Sequence, residues 1–174
     1  MQLKGLSLKD FAIVISGYLI KNGIEVILTG GACVSIYTDN KYMSYDLDFV
    51  LISLDKQSLV KKLLLDIGFF EKNKSFQHND IEYFIEFVPP PLSVGEEPVK
   101  EIFEIKKGKH KLKLLSPTEC VKDRLIAFYH WNDRQSLEQA ILVCRDNKVN
   151  LEEIKRWSIN EGMNSKYDIF LARL

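Results

Sequence analysis

The sequence predicts an α+β fold: a mixed β-sheet flanked by helices, with a helical C-terminal segment. Three observations carry this. β-branched and alternating runs recur up to Leu115, helical runs with capping signals separate and follow them, and no repeat, low-complexity tract or linker interrupts the chain. With 174 residues, 46% apolar and 28% charged, the chain suits one domain with a sizeable core and excludes disorder, collagen and coiled coil. We read residues 1–115 as an α/β core and 116–174 as helices packed on it, one compact unit.

Each element has its signal. Ser7 caps a helix carrying Leu8, Phe11, Ile15 and Leu19, and Gly23 ends it after Asn22. Ile24 to Leu28 is a β-branched strand. Thr29-Gly30-Gly31 then turns into a short helix, Ala32 to Tyr37, followed by the polar loop TDNKYMS. Tyr45 to Ile52 reads as a strand, Asp55 to Asp66 as a helix, Phe69 to Gln77 and Ile81 to Val88 as strands, the last ended by three prolines that offer no ladder donor. Ile102 to Lys106 and Lys111 to Leu115 form a hairpin about Gly108. Three helices finish the chain. Ser116-Pro117-Thr118-Glu119 is a capping box that opens the first, Asn132 caps the second, and Asn150 with Glu153 opens the third. The tail with Tyr167, Ile169, Phe170 and Leu171 packs on its own core or on a second copy.

Lys plus Arg (24) balance Asp plus Glu (24), so the molecule has no net field to draw in a polyanion or a membrane. Three dispersed cysteines with no CxxC pair, and three histidines at no ligand spacing, argue against structural zinc and fit a reducing interior. The first residues lack a signal-peptide pattern, and the apolar stretch Phe11 to Ile20 is far short of the ~20 residues that span a bilayer. These features predict a cytoplasmic protein without a membrane partner.

The chemistry lies in VILTGGACVSIYTDNKYMSYDLDFVLI. Gly30 and Gly31, where a strand gives way to a helix, admit a ligand to the main chain, and the helix start favours an anion such as phosphate. A tight turn alone also explains them. Asp46 and Asp48 alternate on a strand and project from one face, roughly 7 Å apart along the chain. Two carboxylates so close repel each other, and Mg²⁺, with oxygen ligands and room for substrate phosphates, resolves the conflict. Solvated aspartates on an exposed face are the competing reading.

A glycine turn followed by Asp-x-Asp on the next strand resembles the nucleotidyltransferase superfamily related to DNA polymerase β and the antibiotic nucleotidyltransferases. The stretch Ser44-Tyr45-Asp46-Leu47-Asp48-Phe49 is most similar to the abortive-infection and toxin-type bacterial branch. The spacer from Gly31 to Asp46 is slightly longer than usual. Where that branch often carries Arg, this chain has Tyr42, with Lys41 beside it to take over a phosphate contact. The resemblance implies a minimal nucleotidyltransferase fold and transfer of a nucleoside monophosphate from a nucleoside triphosphate to an acceptor hydroxyl on RNA, protein or a small molecule. Asp46 and Asp48 would hold two Mg²⁺ ions, with Mn²⁺ as an alternative. Gly30, Gly31 and Ser44 would hold the triphosphate. A third carboxylate, Glu86 in preference to Glu82, would bind metal or take the acceptor's proton, and its apolar neighbours suggest that it lies deep. Arg124, in Arg124-Leu125, stands where the branch has Lys-Leu; its angle to the buried stripe of its helix favours it over Lys122 for a place against the sheet. A buried ion pair with Asp123 or Glu119 is the rival role for Arg124. An inactive nucleotide-binding module or a toxin–antitoxin component, with an antitoxin or a second copy as partner, is the alternative function. Lysines 106, 107, 109, 111 and 113 are explained by an RNA contact or, more simply, by a solvated hairpin tip.

Overall fold

The computed structural model describes residues 2–174. In chain order the elements are α1 (Leu8–Lys21), β1 (Val26–Thr29), α2 (Gly30–Tyr37), β2 (Asp46–Leu51), a 3₁₀ turn (Leu54–Lys56), α3 (Gln57–Asp66), β3 (Phe70–Lys72), β4 (Ser75–His78), β5 (Ile81–Val88), β6 (Ser93–Val94), β7 (Glu97–Pro98), β8 (Ile102–Lys107), β9 (His110–Leu115), α4 (Pro117–Trp131), α5 (Arg134–Asp146), α6 (Leu151–Asn160) and α7 (Asn164–Leu171). Seven strands form one mixed sheet in the order β3-β4-β5-β2-β1-β9-β8, and β6 and β7 make a separate small hairpin. At its centre β2 runs antiparallel to β1 and parallel to β5, while β1 is parallel to β9. This is the mixed sheet with flanking helices and helical C-terminal segment that the sequence predicts.

Strand alternation sorts the residues of β2 and β5 onto two faces. Leu47, Phe49 and Leu51 of β2, with Tyr83 and Ile85 of β5, are buried. They share one core with α1 and α3: the Phe11 ring lies 5.3 Å from that of Tyr83, and the Tyr18 hydroxyl donates to the Leu63 carbonyl. The opposite face carries Asp46, Asp48 and Val50 beside Phe84, Glu86 and Val88. Caps fix the helices as their sequences require. Ser7 Oγ accepts the Asp10 amide and Ser116 Oγ the Glu119 amide, each cap worth about 1 kcal/mol.

Several expectations need correction. Phe69 to Gln77 is a hairpin, β3–β4, because Asn73 and Lys74 both take positive φ, 52° and 68°, and reverse the chain. Helix α5 is capped by Asp133, whose Oδ1 accepts from Gln135 and Ser136; Asn132 instead ends α4 in the left-handed conformation. Four helices, not three, follow β9, since Gly162 at φ 70° separates α6 from α7. The capping boxes are only half closed: the Glu119 carboxylate turns away to Lys100 and Lys122, and that of Glu153 to Lys100, Lys122 and Arg156. Tyr167 and Phe170 of the tail are buried against the chain's own core. No helix among the described residues is long and apolar enough to cross a membrane.

Candidate active site

The glycine turn and the acidic strand meet at the end of β1. Gly30 is buried with φ +69°, a conformation that L side chains rarely adopt, and a Cβ there would lie 2.3 Å from Asp48 Oδ2. Backbone conformation and space independently demand glycine. The Thr29 hydroxyl donates to the Asp48 carbonyl at 3.1 Å, adding a side-chain tie to the β1–β2 register. Gly31 faces Ser44: a Cβ on Gly31 would stand 3.2 Å from Ser44 Oγ. The Ser44 amide donates to Ser35 Oγ (2.8 Å), and Ser44 Oγ accepts the Asp46 amide (3.3 Å) while lying 3.1 Å from the Asp46 carbonyl, to which it donates. The loop before β2 is thus folded back on the start of α2.

The register sets the carboxylates. Asp48 pairs with Glu86 across the parallel β2–β5 ladder, so their side chains share a face, and Asp46 lies two residues along on the same face, opposite Phe84. Glu82 sits further up β5, beyond Phe84, so Glu86 is the glutamate next to Asp48. It is not deep, however. Glu86 is exposed, because the buried side chains of β5 point to the other face. Asp46 is also exposed and Asp48 half-buried. Burial pushes the Asp48 carboxyl up to about 6; the negative charge of Glu86 adds to this, Arg124 opposes it, and Asp123 and Asp46 contribute further repulsion.

This donor set suits a hard cation. Asp46, Asp48 and Glu86 offer only oxygen, and a cation would relieve the repulsion that Asp48 experiences. The carboxylates do not close into a cage: among the described residues, no three His, Cys, Asp or Glu side chains are gathered to hold a metal ion. Mg²⁺ needs no such cage, since it keeps several waters and is typically bound by one or two carboxylates with substrate phosphates.

A cleft of about 260 Å³ adjoins Asp48. Thr29 and Gly30 form one side, Asp123 and Arg124 of α4 another, and the segment Pro91 to Val94 crosses it. Arg124 is half-buried, and its guanidinium binds Asp123 Oδ2 from Nη2 (2.6 Å) and Nε (3.1 Å). Burial opposes its charge, but Asp123 more than compensates and keeps it firmly cationic. Arg124 therefore lines the cleft and is ion-paired there as well.

Two cations lie elsewhere. Lys41 binds Asp146 at 2.6 and 2.8 Å; the next residue, Asn147, donates to the Tyr37 carbonyl at the C-terminal end of α2, about 10 Å of helix from Gly30. The structure does not bring Lys41 to the glycine turn. Lys122 is the most buried cation of α4 at 1% side-chain exposure, paired with Glu119 (3.1 Å) and Glu153 (2.9 Å). The angular argument that set Arg124 closer to the core than Lys122 fails because α6 covers the side of α4 that bears Lys122.

Three solved structures follow the same chain path. An antigenic nucleotidyltransferase-like protein from Paracoccidioides brasiliensis matches with a TM-score of 0.60 over 81% of this chain and 77% of its own, at 15% identity. The antibiotic-resistance factor ANT(2'')-Ia in solution gives 0.55 over 96% and 95% at 10% identity. Its crystal structure with adenylyl-2''-tobramycin gives 0.50 over 95% and 97% at 11% identity. The chain has a nucleotidyltransferase fold. No protein-family model and no curated protein matches it in sequence. Within this nucleotidyltransferase fold, the sequence marks Thr29 only as part of the turn and Asp123 only as an ion-pair partner, and gives no sign of the segment Pro91 to Val94. Thr29 was legible as the last strand residue before the glycines and Asp123 as the neighbour of Arg124, but only the fold shows that both line one cleft.

Proposed function

We propose that this chain is a metal-dependent nucleotidyltransferase, moving a nucleoside monophosphate from a nucleoside triphosphate to an acceptor hydroxyl. The observation that carries the reading is the packing of Gly30 against Asp48, with Glu86 beside that carboxylate and Arg124 lining the adjoining cleft. Side chains on Gly30 or Gly31 would fill the space where a triphosphate could approach the backbone amides at the start of α2. Asp46 and Asp48 would hold Mg²⁺ or Mn²⁺, with Glu86 as a third ligand or as the base for the acceptor proton. Bound there, the metal would stabilise the attacking and leaving oxygens of an in-line displacement.

The chain's own part is positioning and neutralisation. Ser44, held by Ser35, orients the loop that enters β2. Arg124 exchanges part of its bond with Asp123 for a phosphate oxygen, a charge-assisted contact of the stronger kind. Asp48 must be ionised to bind metal, and in the metal-free chain it is pushed up to about 6, so metal binding weakens as pH drops through about 6. The toxin-type branch rests on the motif Ser44 to Phe49 and on Arg124-Leu125, where that branch has Lys-Leu.

The test incubates the protein with Mg²⁺ and labelled nucleoside triphosphates in the presence of total RNA, cell-extract protein or hydroxyl-bearing small molecules, tobramycin among them. Label transfer that Asp46→Asn abolishes supports the proposal, and the labelled fraction identifies the acceptor class. Triphosphate binding without transfer to any of these would make the protein a nucleotide-binding module. Neither binding nor transfer overturns the reading altogether.

A further inference from the structure

Beyond the cleft, one surface concentrates charge that folding does not require. Chain-wide, cations and anions balance at 24 each, yet Lys21, Lys106, Lys109, Lys111 and His110 line a single concavity of about 220 Å³ between α1 and the β8–β9 turn. Its floor is close-packed: a Cβ on Gly17 would lie 2.5 Å from His110 Nδ1, so the imidazole rests on the α1 backbone. Lys106 and Lys111 are directly opposed across the β8–β9 ladder, a like-charge pairing that destabilises a hairpin. Glu104 alone relieves it, reaching Lys106 at 3.2 Å and Lys111 at 3.5 Å. Among the described residues, Lys21 and Lys109 have no carboxylate within ion-pair distance. Of the four lysines, two share one glutamate and two have none.

We propose that this concavity docks the phosphodiester backbone of nucleic acid. A ladder of cations around a groove suits an extended, repeating anion better than a single ion. A membrane-binding surface would set large apolar side chains beside its lysines, and none of the large exposed ones lies in the β8–β9 turn or at the end of α1. The surface is separate from the cleft. β9 runs parallel to β1 with Leu28 beside Leu114, so the turn at Gly108 lies about 20 Å along the sheet from the end where Thr29 and Gly30 meet Asp48.

The experiment follows fluorescence anisotropy of a short labelled single-stranded RNA with the full chain as salt is raised. Four phosphate contacts predict about a 50-fold loss of affinity between about 50 and about 200 mM salt; Lys21→Ala with Lys109→Ala predicts only about a 7-fold loss. Both replaced side chains are exposed and unpaired, so the variant folds, which circular dichroism checks. Asp46→Asn must leave the salt dependence unchanged, so this inference stands or falls separately from the catalytic proposal. Salt-independent RNA binding, an unchanged slope in the double variant, or binding confined to phosphatidylserine vesicles overturns it.

Discussion

Asp48 is held where its charge is unfavourable, and Asp48→Asn exposes that cost. The carboxyl titrates at about 6 in the folded chain, pushed up mainly by burial and next by Glu86, against about 4 when unfolded. A lift of this size corresponds to about 3 kcal/mol at most. Partial solvent access reduces it, leaving about 1–2 kcal/mol of destabilisation by the ionised group. The sign follows from linkage. The folded state holds its proton more tightly, so the stability linked to Asp48 is fully present below about pH 4 and lost as pH rises through about 6. Asn cannot ionise, so in metal-free buffer at pH 8 the variant should melt about 3–6 °C above the wild type. At pH 4 most of that advantage should vanish. Added Mg²⁺ with a triphosphate should raise the wild-type Tm and leave the variant unmoved, since only a ligand bound to the folded state stabilises it. Differential scanning fluorimetry at the two pH values measures all of this. A variant less stable than wild type at pH 8, or a difference that does not change with pH, refutes the electrostatic account.

Other predictions test the surroundings of the site. Gly30→Ala forces a side chain into left-handed backbone and against Asp48; chemical denaturation should show a loss of at least about 1–2 kcal/mol, and transfer activity should disappear. Lys122→Ala leaves Glu119 buried without its cation and should cost about 3–5 kcal/mol by urea denaturation. Arg124→Ala should raise the KM for triphosphate about 10- to 100-fold, as expected for loss of a charge-assisted phosphate contact, and should lower stability in urea denaturation because it leaves Asp123 without its cation. The Arg156 hydrogen bonds hold Glu97 down at about 2, so its contribution is present above about pH 4.5 and lost as pH falls toward 2; Glu97→Gln should flatten that part of the acid-unfolding curve.

Local chemistry was legible in the sequence wherever one residue determined the outcome. Ser7 and Ser116 cap where they stand, and Asp46 and Asp48 share a face because strand alternation leaves no other arrangement. The Asn73-Lys74 turn was hidden because lysine at positive φ carries no sequence signal, unlike glycine. Long-range facts were not legible. Lys122 appeared peripheral because helical angles within α4 do not reveal that α6 lies over it with Glu153. Lys41 stood beside the motif in sequence, yet Asp146, 105 residues away, binds it. Glu86 seemed deep because Ile85 and Phe87 flank it, although alternation turns those two toward the core and Glu86 away. Its register beside Asp48 follows from strand pairing, which no single strand encodes.

Diffraction from crystals grown with Mn²⁺ and a non-hydrolysable nucleoside triphosphate tests the central claim most directly. The account predicts an anomalous peak bound by the Asp46 and Asp48 carboxylates, with the triphosphate lying along Gly30 and Gly31. A triphosphate bound elsewhere, or bound at the glycines with no metal on either aspartate, would contradict it.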